Sequence, residues 1–418
     1  MDTYRIFTVI ITVCALFAYI NERYIKLTPA IGLMVMSLLS SVLIITFGHL
    51  IPSFSGAVIH GINSIDFHAL LMNIMLSFLL FAGAIHVDAQ HLRKEGMPIA
   101  ILASIGTIMS TFIVASLVYF LLSMFHFQVH YIYCLLFGAL ISPTDPIAVM
   151  AILRRENISR SLDQMISGES LFNDGVAVVI FLTIMEAISG GVDAISFSSV
   201  SLLFAREALG GLLYGCCLGY LGFFALRSAS SYQVEVLITL AIVMGGYTLA
   251  QMIHVSGPLA MVVAGIITGN KGRNSALSPV SKDYLSKFWE LIDEILNAVL
   301  FLLMGFEMLV VKMNNVIILI GLISIAIILL ARWVSVAFPV FLLKYRIKFE
   351  AGSVAILTWG GLRGGLSVAL ALSLPTDMHK DEFVPITYII VVFSIIVQGL
   401  TIGKMARKLQ GRSKITSG

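Results

Sequence analysis

Along this chain, apolar residues gather in stretches of roughly 20, the length an α-helix needs to cross a bilayer. They recur from the first residues to the last with few polar linkers between them. Dividing the sequence at polar clusters, Gly/Pro punctuation and charges gives about thirteen candidate spans by length. The first six cover 4–20, 27–47, 67–87, 98–123, 131–152 and 169–190. The other seven cover 199–225, 234–253, 257–270, 289–310, 315–343, 351–374 and 384–408. The pattern predicts an all-α polytopic membrane protein, one integral-membrane unit over 1–418 with a short basic tail at 404–418 and no separate soluble domain. The apolar run from Tyr4 to Ile20 meets Asn21 and Glu22 without a small-residue cleavage pattern, so it reads as a retained span rather than a signal peptide.

Charge sharpens that picture. Lys and Arg concentrate in cytoplasmic loops of membrane proteins. Of the 26 in this chain, 20 fall after odd-numbered spans or in the C-terminal tail, among them Arg23, Lys26, Arg154, Arg155, Arg273, Arg346, Lys348 and Lys404. The other face has only Arg5, Lys312 and Lys380, and Arg206, Arg332 and Arg363 lie within spans. This asymmetry puts the N-terminus outside and the C-terminus in the cytoplasm. Composition agrees: 59% of residues are hydrophobic and 12% charged, about half the charged share of soluble domains. A net charge of +3 scattered over short loops does not suit nucleic acid. Cys14, Cys134, Cys216 and Cys217 lie in apolar segments without CxxC spacing, which argues against a disulfide framework or a zinc site.

A charge at mid-bilayer costs roughly 2.5 to 3.5 kcal/mol even on lenient scales, so ionisable residues within spans are functional candidates. In the fifth span, Ser142-Pro143-Thr144-Asp145-Pro146 interrupts an apolar helix. Each proline removes a backbone donor, and the freed groups are tolerable only against protein or a watery cavity. The sixth span opens with Gly168-Glu169-Ser170-Leu171-Phe172-Asn173-Asp174. Helical spacing sets Glu169 and Ser170 beside Asn173 and Asp174. Glu169 alone could be a surface carboxylate at a helix N-terminus; Asp174, deeper by more than a turn, could not. In the twelfth span, Gly360-Gly361-Leu362-Arg363-Gly364-Gly365 makes a second interruption.

Spans five and twelve run in opposite directions, as the interrupted helices of inverted repeats do, and two such breaks point to a binding site near mid-membrane. Where they cross, Asp145 and Arg363 are suited to compensating half-helix ends. Arg332 needs a carboxylate, and Glu169 is the natural partner. Glu290, Asp293 and Glu294, at the start of the tenth span, could form an acidic cytoplasmic funnel or an ordinary solvated helix start. Glu307 and the outer-loop histidines are as well explained by contact with water.

SPTDP, then GESLFNDGVAVV, then GGLRGGLSVAL, with FAGAIHVDAQHLRKEG at the third span, together resemble the monovalent cation:proton antiporter-1 family, NhaP-type antiporters related to animal sodium/hydrogen exchangers. The resemblance covers nearly the whole chain. It implies thirteen helices, a core domain with two crossed broken helices, and a dimerisation domain interleaved with it in sequence. It also implies that Asp174 binds ion and proton, that Asn173 supports the crossing, and that Thr144, Asp145, Glu169 and Ser170 belong to the site. Asn rather than a second Asp before Asp174 implies electroneutral 1:1 exchange, and the resemblance as a whole implies a homodimer in the bacterial inner membrane.

The residues themselves agree with this. A hard monovalent cation needs oxygen ligands, which Asp174, Ser170 and Thr144 can supply, with Asp145 and Glu169 helping by charge or hydrogen bonding. Proton and sodium (or lithium) would compete for Asp174, with no cofactor and no enzymatic step. Potassium/proton exchange is the nearest alternative. A cation channel would call for carboxylate rings or filter loops. An intramembrane enzyme pairing Asp145 with Asp174 has no HExxH, GxSxG or GxGD motif to support it.

Overall fold

The computed structural model describes residues 3–416 apart from 64, 157, 190–196, 230, 272–278, 346, 348 and 351. Arg273, Arg346 and Lys348 of the cationic loops lie outside the described residues. The chain is helical throughout, without a strand among the described residues. In order, the helices are α1 (Thr3–Ile20), α2 (Pro29–Phe47), α3 (Pro52–Asn63), α4 (Phe67–Leu70), α5 (Leu76–Ile85), α6 (Ala89–Ile101), α7 (Thr107–Met124), α8 (Tyr131–Ile141), α9 (Ile147–Arg155) and α10 (Arg160–Ser189). There follow α11 (Phe197–Ser228), α12 (Tyr232–Met252), α13 (Gly257–Lys271), α14 (Pro279–Glu307), α15 (Asn315–Leu343), α16 (Ser353–Trp359), α17 (Gly365–Leu372), α18 (Lys380–Phe393) and α19 (Gly399–Thr416). Single π-helical turns join α4 to α5, α6 to α7 and α18 to α19, so each of these sets is one continuous rod.

Each predicted apolar stretch coincides with a helix, a rod or a broken pair. By length and composition, nine helices among the described residues can cross a membrane, and Tyr131–Ile141 and Gly257–Asn270 are shorter apolar helices. Helix α3, between the second and third stretches, is an addition that hydropathy did not suggest. The two breaks fall where Pro and Gly predict them: α8 ends at Ile141 and α9 resumes at Ile147, while α16 ends at Trp359 and α17 resumes at Gly365. The basic tail continues α19 as helix through Thr416.

Helices pack in two sets. One gathers α1, α2, α5 and α11–α14, with α13 between α5 and α11 and with α14 against α2. The other gathers α6–α10 and α15–α19, with α15 against α7, α16 and α18. The sets meet where α10 touches α11 and α13 and where α14 touches α17. Between them opens a cavity of about 1350 Å³. Apolar burial in water cannot drive helices together inside a bilayer, so close approach at small residues does much of the work. Gly138 of α8 is an example: a Cβ there would stand 2.3 Å from the Thr111 carbonyl oxygen of α7.

Candidate functional site

The two unwound segments cross and hold each other through the backbone. The Asp145 amide donates to the Leu362 carbonyl at 2.8 Å, forming an isolated antiparallel bridge. Four half-helix ends meet there, each with unpaired backbone groups and a partial charge. Arg363 answers the first C-terminal end, its Nη1 donating to the carbonyls of Ser142 (3.0 Å) and Pro143 (3.2 Å). Asp145 answers both N-terminal ends. Its Oδ1 accepts from the Ile147 amide at 2.9 Å, and its other oxygen lies so close to Gly364 that a Cβ there would be 2.5 Å away.

The remaining C-terminal end, at α16, is covered from two sides. Arg332 donates from Nε and Nη2 to the Leu357 carbonyl at 3.3 and 3.2 Å, passing so close to Gly361 that a Cβ would meet Nε at 2.6 Å. Gln398 donates to the Trp359 carbonyl at 3.0 Å. Its Oε1 accepts from Ser394 Oγ at 2.6 Å, and that hydroxyl accepts from the Arg363 amide at 2.9 Å. Ser394 and Gln398 bound the π-helical turn between α18 and α19, a local distortion frequently found at functional sites. Sequence reasoning did not single them out. Two polar residues four apart in an apolar span were the available signal.

Glu169 meets Arg332 in a bidentate pair, with both Nη···Oε distances 2.6 Å. The carboxylate side chain is 1% exposed. Because α10 begins at Arg160, Glu169 lies more than two turns inside it, and the reading of a surface carboxylate at the helix start does not hold. Asn173, one turn on, donates to Glu169 Oε1 at 3.1 Å and to Thr144 Oγ1 at 2.7 Å. The Thr144 amide donates to Asn173 Oδ1 at 3.4 Å, and Thr144 Oγ1 lies 3.1 Å from Ser170 Oγ.

The polar stripe of α10 therefore divides. Adjacent helical residues diverge by about 100°, so Glu169 and Asn173 turn to the crossing while Ser170 and Asp174 line the cavity. Asp145 lines it as well. Thr144 and Glu169 do not reach the cavity and have their polar atoms engaged, so of the five cation-ligand candidates the structure brings Asp174, Ser170 and Asp145 to the cavity wall. Asp174 makes no hydrogen bond or ion pair to any described residue. It feels the charges of Asp145, Glu169 and Arg363. Helix α14 begins at Pro279, ten residues before the predicted 289, which sets Glu290, Asp293 and Glu294 about three to four turns inside it, lining the same cavity.

The sequence matches the model of the family described as sodium/hydrogen exchanger, transmembrane, over residues 9–408. The chain belongs to that family. It is 45% identical over 405 residues to the Na(+)/H(+) antiporter NhaP of Pseudomonas aeruginosa, covering 96% of this chain and 95% of the relative. The Na(+)/H(+) antiporter NhaH of Halobacillus dabanensis is 34% identical over 352 residues, with 82% and 84% covered. Among solved structures, the sodium proton antiporter MjNhaP1 from Methanocaldococcus jannaschii at pH 8 superposes with a TM-score of 0.76 over 98% of this chain and all of that one. At 19% identity, that likeness speaks for the fold. In this exchanger-family chain, then, Arg332, Arg363, Glu169 and Asp145 are each engaged at the crossing, whereas the Asp174 carboxylate makes no hydrogen bond or ion pair to a described residue and lines the cavity.

Proposed function

We propose that this chain is a secondary active antiporter that exchanges sodium or lithium for protons, one for one, by competition of cation and proton for Asp174. The observation that carries the reading is the contrast at the crossing. Arg332, Arg363, Glu169 and Asp145 each hold a counter-charge or a half-helix end, whereas Asp174 lines the cavity without a hydrogen bond or ion pair to any described residue. A carboxylate so placed holds either a cation or a proton, and protonation removes the cation's main attraction. Ser170 and Asp145 line the wall beside it and complete an oxygen environment for a hard ion. The names of the NhaP and NhaH relatives agree with this chemistry.

Lys26, Arg154 and Arg155 line the cavity and belong to the loops that the charge bias assigns to the cytoplasm. The cavity therefore opens inward, with the N-terminus outside and the C-terminus in the cytoplasm of a bacterial inner membrane. Release to the other side follows when the set bearing α10 and the crossing moves as a body against the set bearing α14, the latter serving as the scaffold of a homodimer.

The test is proton movement in everted vesicles on addition of sodium, lithium or potassium, for wild type and Asp174→Asn, with and without an imposed potential. The expected result is a sodium and lithium response that is insensitive to potential and lost in Asp174→Asn. Exchange retained in the variant would refute the role of Asp174. A response to potassium alone would reassign the substrate, and currents without coupled proton movement would indicate a channel.

A further inference from the structure

The cavity that holds Asp174 is lined by polar groups that this mechanism leaves unused. Asn297 of α14 is 6% exposed, and neither its side-chain oxygen nor its nitrogen has a hydrogen-bond partner. Ser367 of α17 is 1% exposed, with its hydroxyl also unpartnered. Buried side-chain polar atoms are nearly always satisfied, so two such groups lining one cavity call for an explanation. Both line the cavity that holds Asp174. One turn before Asn297, Asp293 lines it too, and its charge is felt together with that of Asp145. Asn297 lies within reach of the Asp293 carboxylate without completing a hydrogen bond to it. The packing fixes this placement: a Cβ at Gly365 would meet Leu300 at 2.5 Å, so α14 and α17 touch one turn beyond Asn297.

An amide oxygen, a hydroxyl and two carboxylates are hard oxygen donors of the kind that replace part of a small cation's water shell. We propose that Asp293, Asn297 and Ser367, together with Asp145, form a second, transient station for a monovalent cation of sodium's size on its way between the cytoplasm and Asp174. The proposal rests on the exchange reading above. Its particular consequence is sidedness. Asn297 and Asp293 belong to one set of helices, Ser367 and Asp145 to the other, so the station is assembled only while the cavity is open and separates when the sets move. A ligand that binds one state alone shifts the population toward that state. The station therefore tunes apparent affinity on the cytoplasmic face and not on the other.

The experiment compares half-saturation for sodium in everted and right-side-out vesicles bearing the full-length chain. Asn297→Ala should raise the ratio of cytoplasmic to external half-saturation at least threefold. Asn297→Asp should lower the cytoplasmic value, which a merely loosened fold does not do. Equal changes on both faces, or no change in either variant, would overturn the station. A second measurement separates it from the exchange reading: the rise in thermal midpoint that sodium gives over choline in purified Asp174→Asn. That rise should persist and vanish when Asn297→Ala is added. Its absence from Asp174→Asn overturns the station, whereas exchange by Asp174→Asn defeats the exchange reading and leaves the station's own test standing.

Discussion

The two interrupted helices reach the same geometry by opposite chemistry. The first is broken by Pro143 and Pro146, which remove backbone donors, and has an acid between them. The second is broken by Gly360, Gly361, Gly364 and Gly365, which leave room, and has an arginine between them. Neither compensates only itself. Arg363 of the second break reaches the carbonyls that end α8, and Asp145 of the first lies against Gly364 at the start of α17. The second break also relies on Arg332 and, through it, on Glu169. The first break thus depends on a direct contact and the second on a relay. Compensation by exchange ties the two breaks together as one unit.

The largest effect should come from cutting the relay. Glu169→Gln leaves the Arg332 guanidinium buried without its counter-charge, and breaking such a pair costs about 3 to 5 kcal/mol. We expect a clearly lowered thermal midpoint for the purified protein, with part of the loss restored in Glu169→Gln/Arg332→Leu. Next comes the direct contact. Arg363→Leu strands the Ser142 and Pro143 carbonyls, and unsatisfied buried groups cost about 1 to 3 kcal/mol each, so denaturant unfolding should show a loss comparable to that of Glu169→Gln. A markedly larger loss would reverse the ranking of the two breaks.

Gly364→Ala probes the closest approach of the breaks. Its methyl would collide with the Asp145 carboxylate, and overpacking of this kind costs about 1 to 3 kcal/mol. Exchange should fall further than stability does, because Asp145 shares the cavity wall with Asp174; unimpaired exchange would show that Asp145 has slack. Thr144→Val should have the smallest effect. It removes the hydroxyl that accepts the Asn173 amide hydrogen and pairs with Ser170 Oγ, for about 1 to 2 kcal/mol, visible as a modest fall in melting temperature, and a loss as great as that from Glu169→Gln would mean that Thr144 does more than position these two side chains.

Much of this was legible in the chain itself. Apolar run length fixes the helices, because each backbone group must be satisfied within its own segment in a bilayer. Pro and Gly fix the breaks, because the first lacks a donor and the second lacks a side chain. The cost of burying charge marks Asp145, Glu169, Asp174, Arg332 and Arg363 before any neighbour is known. Helix ends were less legible: α10 and α14 begin about nine and ten residues before the predicted 169 and 289, since polar first turns outside the apolar layer extend a helix without altering hydropathy. The roles of Ser394 and Gln398 were hidden because a lone Ser or Gln in an apolar span carries no charge penalty.

What only the tertiary structure decided is which charges meet. Sequence spacing places Glu169, Ser170, Asn173 and Asp174 on one broad stripe, but the position of α15 and of the broken segments divides it between an ion pair and a cavity. Local periodicity determines which face of a helix is polar; only the packing of helices distant in sequence determines whether that face meets an arginine or open space. That difference separates Glu169, fixed in place, from Asp174, left free.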